Sequence, residues 1–161
     1  MLMIAISVAG FAAPAHAVTQ SASVTAQVVK PLTLVALQDL SLGTITLGSG
    51  SWSGVTVGIS NSGVFTCNLN VTCTGSPQVA QFNVTGTNKM VVQISAPGVT
   101  LVNQSDPTKT LTLAIDNPGQ AILPNAGQQG VDFNLGGSVT LSSTTVGGTY
   151  RGTIEVTVNY Q

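Results

Sequence analysis

Hydrophobic and polar residues alternate along most of this chain, and the alternation has a period of two residues. Val, Ile, Leu and Thr dominate the alternating stretches, as is typical of β-strands. Short clusters of Gly, Pro, Asn and Asp separate the stretches and indicate turns. Beyond residue 17, no window has the period of an amphipathic helix. Many short, closely spaced strands predict an all-β fold, an antiparallel β-sandwich.

The turn signals divide the chain into a series of predicted strands. Two longer surface loops are expected at Asn103–Thr108 and Gln120–Gly130. No internal repeat is visible, so a length of 161 residues indicates one domain. The predicted strands are Ser21–Val29, Leu32–Leu37, Thr44–Leu47, Gly54–Ile59, Val64–Cys67, Leu69–Cys73, Ala80–Thr85, Met90–Ile94, Thr110–Ile115, Val131–Leu135, Ser138–Leu141 and Tyr150–Tyr160.

The last predicted strand has the clearest alternation. One of its faces carries only apolar side chains, namely Ile154, Val156, Val158 and Tyr160. A strand at the edge of a sheet usually carries a residue such as Pro or Lys that prevents further pairing, and this strand has neither. The pattern fits an open edge that accepts another strand, and it fits an ordinary inner strand equally well.

Residues 18–30 form a second unusual stretch, which we interpret as an N-terminal extension of a domain at 31–161. The residues from Ser21 to Val28 alternate small polar with small apolar side chains and include no Gly, Pro or charge. Pro31 interrupts the stretch, so it need not continue into the first strand of the body. The composition predicts a strand that pairs within its own domain or adds to a neighbouring molecule. The side chains that would enter a core are Ala22, Val24, Ala26 and Val28.

The first 17 residues indicate a secretory signal peptide. Met1–Ala13 is an apolar run of signal-peptide length, and it is shorter than the roughly 20 residues that cross a bilayer. The small residues Ala15 and Ala17 then flank His16 in a cleavage signature. No Lys or Arg precedes Lys30, so the usual basic start is missing, and a buried N-terminal helix is the alternative. We expect cleavage after Ala17 and export of the remainder.

Charged residues are scarce, at 6% of the chain, and the net charge of −1 provides no basic face for nucleic acid. The only histidine, His16, lies in the predicted signal peptide, so the exported protein lacks the commonest general base and metal ligand. The carboxylates are too dispersed to form a catalytic pair, and no Gly-x-Ser-x-Gly motif is present. We therefore expect no enzymatic activity, no cofactor or metal and no small-molecule substrate.

Cys67 and Cys73 are the only cysteines, and export would place them in an oxidising compartment. A metal site would need further ligands, and a nucleophilic cysteine would need a base. A disulfide that closes a short loop is therefore the favoured interpretation.

Two further features have a structural and a functional interpretation. Trp52 fits a half-buried core residue better than an exposed platform for a sugar ring. The stretch Asp116–Gly119, with the sequence Asp-Asn-Pro-Gly, fits a turn better than a binding site.

The two ends of the chain together resemble those of chaperone–usher pilins. The shared features are a signal peptide, a free alternating N-terminal segment, a sandwich body and a terminal strand that ends in VTVNYQ, with Tyr160 penultimate. The order of several short motifs is also similar to that of a bacterial pilin-like family labelled a domain of unknown function. These motifs are Asp39–Gly43, Ala80–Gly86, Gly136–Val139 and Gly148–Gly152.

The resemblance implies an immunoglobulin-like sandwich that lacks its final strand and is completed by a donor strand. The four alternate side chains of the N-terminal extension would be the donor residues, and the apolar face of the last strand would line one wall of the acceptor groove. A periplasmic chaperone would first hold the terminal carboxylate of Gln161. An outer-membrane usher would then exchange the chaperone for the next subunit. The close spacing of Cys67 and Cys73 departs from the common pilin arrangement.

Two functions from different classes remain open. The first is a structural subunit of a surface fimbria, exported through the periplasm and polymerised by donor-strand exchange with copies of itself or related pilins. The second is a secreted monomeric sandwich that binds a glycan or a cell-envelope partner, with its N-terminal strand folded back on itself.

Overall fold

The chain folds into antiparallel β-strands, as its alternation predicts. The computed structural model describes residues 18–124 and 129–161. In these ranges every strand pair is antiparallel, and no helix is long and apolar enough to cross a bilayer. The all-β class is therefore confirmed. The predicted signal peptide at 1–17, with Ala15 and Ala17, lies outside the described residues.

The described residues form thirteen strands. Their bounds are β1 Thr33–Gln38, β2 Thr44–Leu47, β3 Val55–Ile59, β4 Phe65–Cys67, β5 Val71–Thr74, β6 Ala80–Thr85, β7 Val91–Ser95, β8 Val99–Asn103, β9 Thr110–Asp116, β10 Gln120–Ile122, β11 Val131–Leu141, β12 Tyr150–Arg151 and β13 Thr157–Tyr160.

The strands pair into one large sheet and two small ones. The large sheet has the order β1-β6-β11-β9-β8-β12, with β3 paired to β11 and β4 paired to β3. A three-stranded sheet has the order β10-β7-β13, and β2 pairs with β5 in a separate two-stranded sheet. Residues 137–139 of β11 pair with both β3 and β9, so these two strands lie on opposite edges of β11. β11 is therefore the central strand of the fold.

The sheets enclose two hydrophobic cores. The first core lies between β1, β6 and β11 on one side and the sheet β10-β7-β13 on the other, whereas the second lies between β3, β9, the end of β11 and the sheet β2-β5. Leu40, Ile115 and Ile154 pack against both cores and connect them. The buried residues of the first core are Ala80, Val84, Val92, Ile94, Ala96, Leu123, Phe133 and Leu135, and those of the second are Val57, Leu113, Val139 and Leu141.

β11 is one continuous strand where the sequence predicts two, Val131–Leu135 and Ser138–Leu141. The sequence between them, Gly136-Gly137, suggests a turn, but both glycines are buried inside the sheet. A Cβ on Gly136 would collide with the backbone of β3 at Ile59, and one on Gly137 would come within 3.0 Å of the Leu113 side chain. These glycines therefore allow neighbouring chain segments to approach closely, and the predicted break is wrong.

Two strands were not predicted from the sequence. β8 lies between a Pro-Gly turn and the predicted loop Asn103–Thr108, and its hydrogen bonds come from pairing with β9 and β12. β10 falls inside the predicted loop Gln120–Gly130 and has only three residues, which is too short to display an alternation. Its pairing with β7 is what makes it a strand.

The predicted disulfide is present between Cys67 and Cys73, whose Cα atoms are 6.3 Å apart. Cys67 is the last residue of β4 in the large sheet, and Cys73 lies in β5 of the two-stranded sheet. The intervening turn passes through Asn70 at a φ of 74°, a left-handed conformation that Asn tolerates better than most residues. The disulfide thus ties together two sheets that cover the second core.

Replacing both cysteines with serine, Cys67→Ser and Cys73→Ser, should lower the free energy of unfolding by about 2–3 kcal/mol, because the unfolded chain regains the freedom of the short loop. Urea denaturation measures this loss, and reduction of the native protein should reproduce it. Thr72→Ser in the same loop is the matched control and should leave the midpoint nearly unchanged. An unchanged midpoint in the double variant would contradict the stabilising role of the disulfide.

Candidate functional site

The end of the chain passes from one sheet to another. The sequence predicts a single strand at Tyr150–Tyr160, but the structure splits it into β12, which pairs with β8, and β13, which pairs with β7. Among the described strands, no ladder includes residues 152–156. Gly152 lies tightly against β8, since a Cβ there would be 2.8 Å from the Val99 side chain. The prediction of one continuous strand is therefore wrong, because the chain changes sheets at this point.

The alternation of the last segment is nevertheless retained in its packing. Val158 lies opposite Ile94 and Tyr160 opposite Val92, so both face the first core. Ile154 and Val156 pack against the same core. All four predicted wall residues remain half-buried, although they face inward. The structure thus brings Ile154, Val156, Val158 and Tyr160 together as one incompletely covered apolar wall.

β13 and β1 flank the same open side of the first core. Within the described ranges, β13 pairs only with β7 and β1 pairs only with β6, so each has one edge without a strand partner. β10 contacts β11 at the opposite end of the three-stranded sheet, which places β13 on the side of β1. On β1, Ala36 lies opposite Phe82 on the inward face and yet is exposed. The first core is consequently open between these two edges.

A cleft of about 430 Å³ lies at the second core. Its wall includes Leu40, Leu101, Leu111 and Tyr150, and none of its lining residues is charged. Leu40, one of the lining residues, also packs against the first core, so the cleft lies next to the junction of the two cores. Sequence reasoning missed these leucines, since Leu101 and Leu111 lie on separate strands and Leu40 lies beyond the end of β1, so that only the fold brings them together. The remaining apolar lining residues are Leu42, Ile45, Leu47, Leu113, Val139, Leu141 and Val146.

The loop at residues 145–150 forms one wall of this cleft and is held by a buried asparagine. Asn103 is 1% exposed, and its Nδ2 donates a hydrogen bond to the Gly147 carbonyl at 3.1 Å. Its Oδ1 accepts from the Ser105 and Asp106 backbone N–H groups. The Tyr150 hydroxyl donates to the Val146 carbonyl at 2.7 Å. Asn103 therefore connects two loops and satisfies three backbone groups with one side chain.

Asp106, next to this asparagine, is a half-buried turn residue. The hydroxyl of Thr108 donates to its carboxylate at 2.7 Å, and the Thr108 backbone N–H donates at 3.1 Å. These two hydrogen bonds lower the pKa of Asp106, because they stabilise its ionised form. Their role is to close the turn at residues 105–109.

The N-terminal extension stays outside the body. Residues 18–31 are all exposed, and residues 18–32 belong to no strand ladder, so the predicted strand Ser21–Val29 has no partner in this structure. Val24 is 92% exposed and Val28 is 89% exposed. Ala22 and Ala26 are exposed as well. The side chains predicted to enter a core therefore do not enter the core of their own domain.

Lys30 is the root of the extension, where the extension joins the body, and it is held beside the end of β13. The Tyr160 hydroxyl donates a hydrogen bond to the Lys30 carbonyl at 2.6 Å and accepts one from the Thr87 backbone N–H at 2.7 Å. The Lys30 N–H donates to the Thr87 side-chain oxygen at 2.6 Å. The following residue, Gln161, is exposed and donates its backbone N–H to the Val91 carbonyl at 3.1 Å.

Trp52 and the stretch Asp116–Gly119, the two further candidates from the sequence, have structural roles. Trp52 is half-buried against the second core, and its indole N–H donates to the Gly48 carbonyl at 3.2 Å, as expected for a core residue with a satisfied polar group. Asp116 accepts the Asn61 backbone N–H at 2.8 Å, and the Asn117 side chain accepts the Gly119 N–H at 2.7 Å, which is the hydrogen bonding of a turn.

Replacing Asn103 with leucine should lower the free energy of unfolding by about 1–3 kcal/mol, because buried backbone groups lose their partners. Chemical denaturation measures the change. Gln104→Leu at the neighbouring exposed position is the matched control, and it should change stability by no more than about 0.5 kcal/mol. Equal effects of the two substitutions would show that Asn103 does not hold the wall of the cleft.

Comparison with known proteins identifies a family but no individual relative. No curated protein and no solved structure matches the chain significantly. Residues 32–160 match a family described as Domain of unknown function (DUF4402). The match covers β1 to β13 and leaves the N-terminal extension outside. Because it spans most of the sequence, the chain belongs to the DUF4402 family.

Proposed function

We propose that this protein is a structural subunit of a surface fimbria and that it polymerises by donating its N-terminal extension to another subunit. The observation that carries the proposal is a mismatch within one molecule. An apolar, alternating segment lies fully outside the body, and an inward-facing apolar wall beside an unpaired strand edge is only half covered. In this proposal the extension of one copy covers the apolar wall of a second copy, so that both surfaces become buried.

The chemistry of the extension matches that of the wall. Residues 18–29 carry no charge, and neither do the residues that line the cleft at the second core. Burial of Ala22, Val24, Ala26 and Val28 would contribute on the order of 5 kcal/mol from apolar surface alone. The backbone groups on the open edge of β13 would gain hydrogen bonds in addition, as in other cases of strand addition.

The lengths of the two segments also match. A strand advances by about 3.3 Å per residue, so Ser21–Val29 in extended form is nearly as long as the stretch from Thr153 to Tyr160. One extension can therefore run along this terminal segment, including residues 153–156, which belong to no ladder of the described strands. The cleft beside Leu40 and Leu101 would receive the part of the extension that passes the second core.

The route of assembly follows from the resemblance to chaperone–usher pilins. In this proposal a periplasmic chaperone covers the open side first and holds the carboxylate of the exposed Gln161. An outer-membrane usher then replaces the chaperone with the extension of the next subunit. The partners are other subunits, the chaperone and the usher, and the final location is the cell surface.

A peptide of residues 18–29 tests the donation directly. A variant that lacks these residues keeps every described strand, because the extension belongs to no ladder. The peptide should bind this variant and raise its free energy of unfolding, by about 2.7 kcal/mol at a hundredfold excess over its dissociation constant. Thermal denaturation with increasing peptide measures the effect.

The control is the same peptide with Val24→Asp and Val28→Asp, which places two charges on the face that would be buried and should not bind. If the native peptide leaves the stability of the truncated variant unchanged, donation is wrong. That result would favour the alternative, a secreted monomer that binds a glycan or an envelope partner.

A further inference from the structure

We infer that the Tyr160 hydroxyl, together with Thr87, forms a clip that directs the N-terminal extension away from the open side of its own domain. This inference rests on the proposed function, since it concerns which molecule receives the extension. We define the clip as Tyr160, Thr87 and Lys30. It would favour transfer of the extension to a second copy over insertion into the same chain.

The clip engages both backbone groups of one residue. The Lys30 N–H donates to the Thr87 side chain, and the Lys30 carbonyl accepts from the Tyr160 hydroxyl, which also accepts the Thr87 backbone N–H. Pro31 follows, and its ring fixes the backbone φ angle. Beneath the clip is Gly86, where a Cβ would collide with the Tyr160 hydroxyl. The root of the extension therefore has little freedom to rotate.

The clip also sets the direction in which the extension leaves. The register pairs Tyr160 with Val92, and the Gln161 N–H bonds the Val91 carbonyl, so Met90 lies one position beyond the level of Gln161. The Gln27 side chain reaches the Met90 sulfur at 3.3 Å. The extension thus continues past the end of β13. To enter its own open side, it would have to turn back between Gln27 and Pro31.

Insertion of the whole segment up to Val28 would place this turn at Val29 and Lys30 and would break the hydrogen bonds of Lys30. This cost matters because the extension of the same chain competes with that of a second copy for the open side. A segment tethered to the same body by a short linker has an effective concentration in the millimolar range. A second copy at micromolar concentration would lose that competition unless intramolecular insertion were disfavoured. The clip supplies a contact that disfavours intramolecular insertion, and it does so at Lys30, where the extension joins the body.

Two substitutions release the clip in different ways. Tyr160→Phe removes the hydroxyl and keeps the aromatic ring, and Thr87→Val removes the side-chain acceptor and lies outside the apolar wall. The control is Ser62→Ala, which removes an exposed hydroxyl that is hydrogen-bonded to Ser60 in the turn between β3 and β4, outside the wall, the cleft and the clip. Amide hydrogen exchange of residues 21–29 is measured in dilute full-length protein, where copies rarely meet.

In the native protein and in Ser62→Ala, these amides should exchange as in an unfolded peptide. In Tyr160→Phe and Thr87→Val, they should become at least about tenfold protected, as expected when one or two neutral hydrogen bonds no longer oppose insertion. The protection should not depend on protein concentration, because the insertion is intramolecular. Assembly at higher concentration should fall in the same two variants.

The inference is wrong if both variants are folded and bind the peptide of residues 18–29 when truncated, yet their amides exchange as fast as those of the native protein. In that case the proposed function stands without the clip. If the truncated native protein does not bind the peptide, the proposed function fails, and the inference fails with it.

Discussion

The structure depends on one constraint: the first core is enclosed by two sheets whose facing edges, β1 and β13, have no strand between them. Buried apolar side chains normally need cover on every side, and an unpaired edge also leaves backbone groups without partners. Here the side chains next to the gap, such as Val158 and Leu34, stay half-exposed although they face inward. In the proposed function, an extended and uncharged strand from a second copy fills this gap.

The contacts that hold the rest of the fold together do not cover this gap. The central strand β11 joins both cores, with Gly136 and Gly137 allowing its neighbours to approach. The disulfide ties two sheets at the second core, and Asn103 fixes the loop that borders the cleft. None of these features covers the side between β1 and β13. An open side with borders held in this way suits the proposed strand addition, since little of the surrounding structure would have to reorganise on binding.

Sequence reasoning succeeded where local pattern decides the structure. Thr44–Leu47 and Ala80–Thr85 were predicted with the bounds that the structure has, because each alternates clearly and is followed by turn residues. It failed where pairing across the chain decides. The sheet change at residues 152–156 and the burial of Gly136 depend on neighbours distant in sequence, and so does the cleft around Leu101. The apolar wall was predicted residue by residue, whereas its open edge became visible only in the sheet order.

The most direct measurement of the central claim is the size distribution of a protein of residues 18–161 as its concentration is raised, by sedimentation velocity. If a second copy supplies the missing strand, the protein forms a ladder of oligomers that grows with concentration and disappears when residues 18–29 are deleted. A single monomeric species at every concentration, with the same sedimentation behaviour with and without those residues, would contradict the claim.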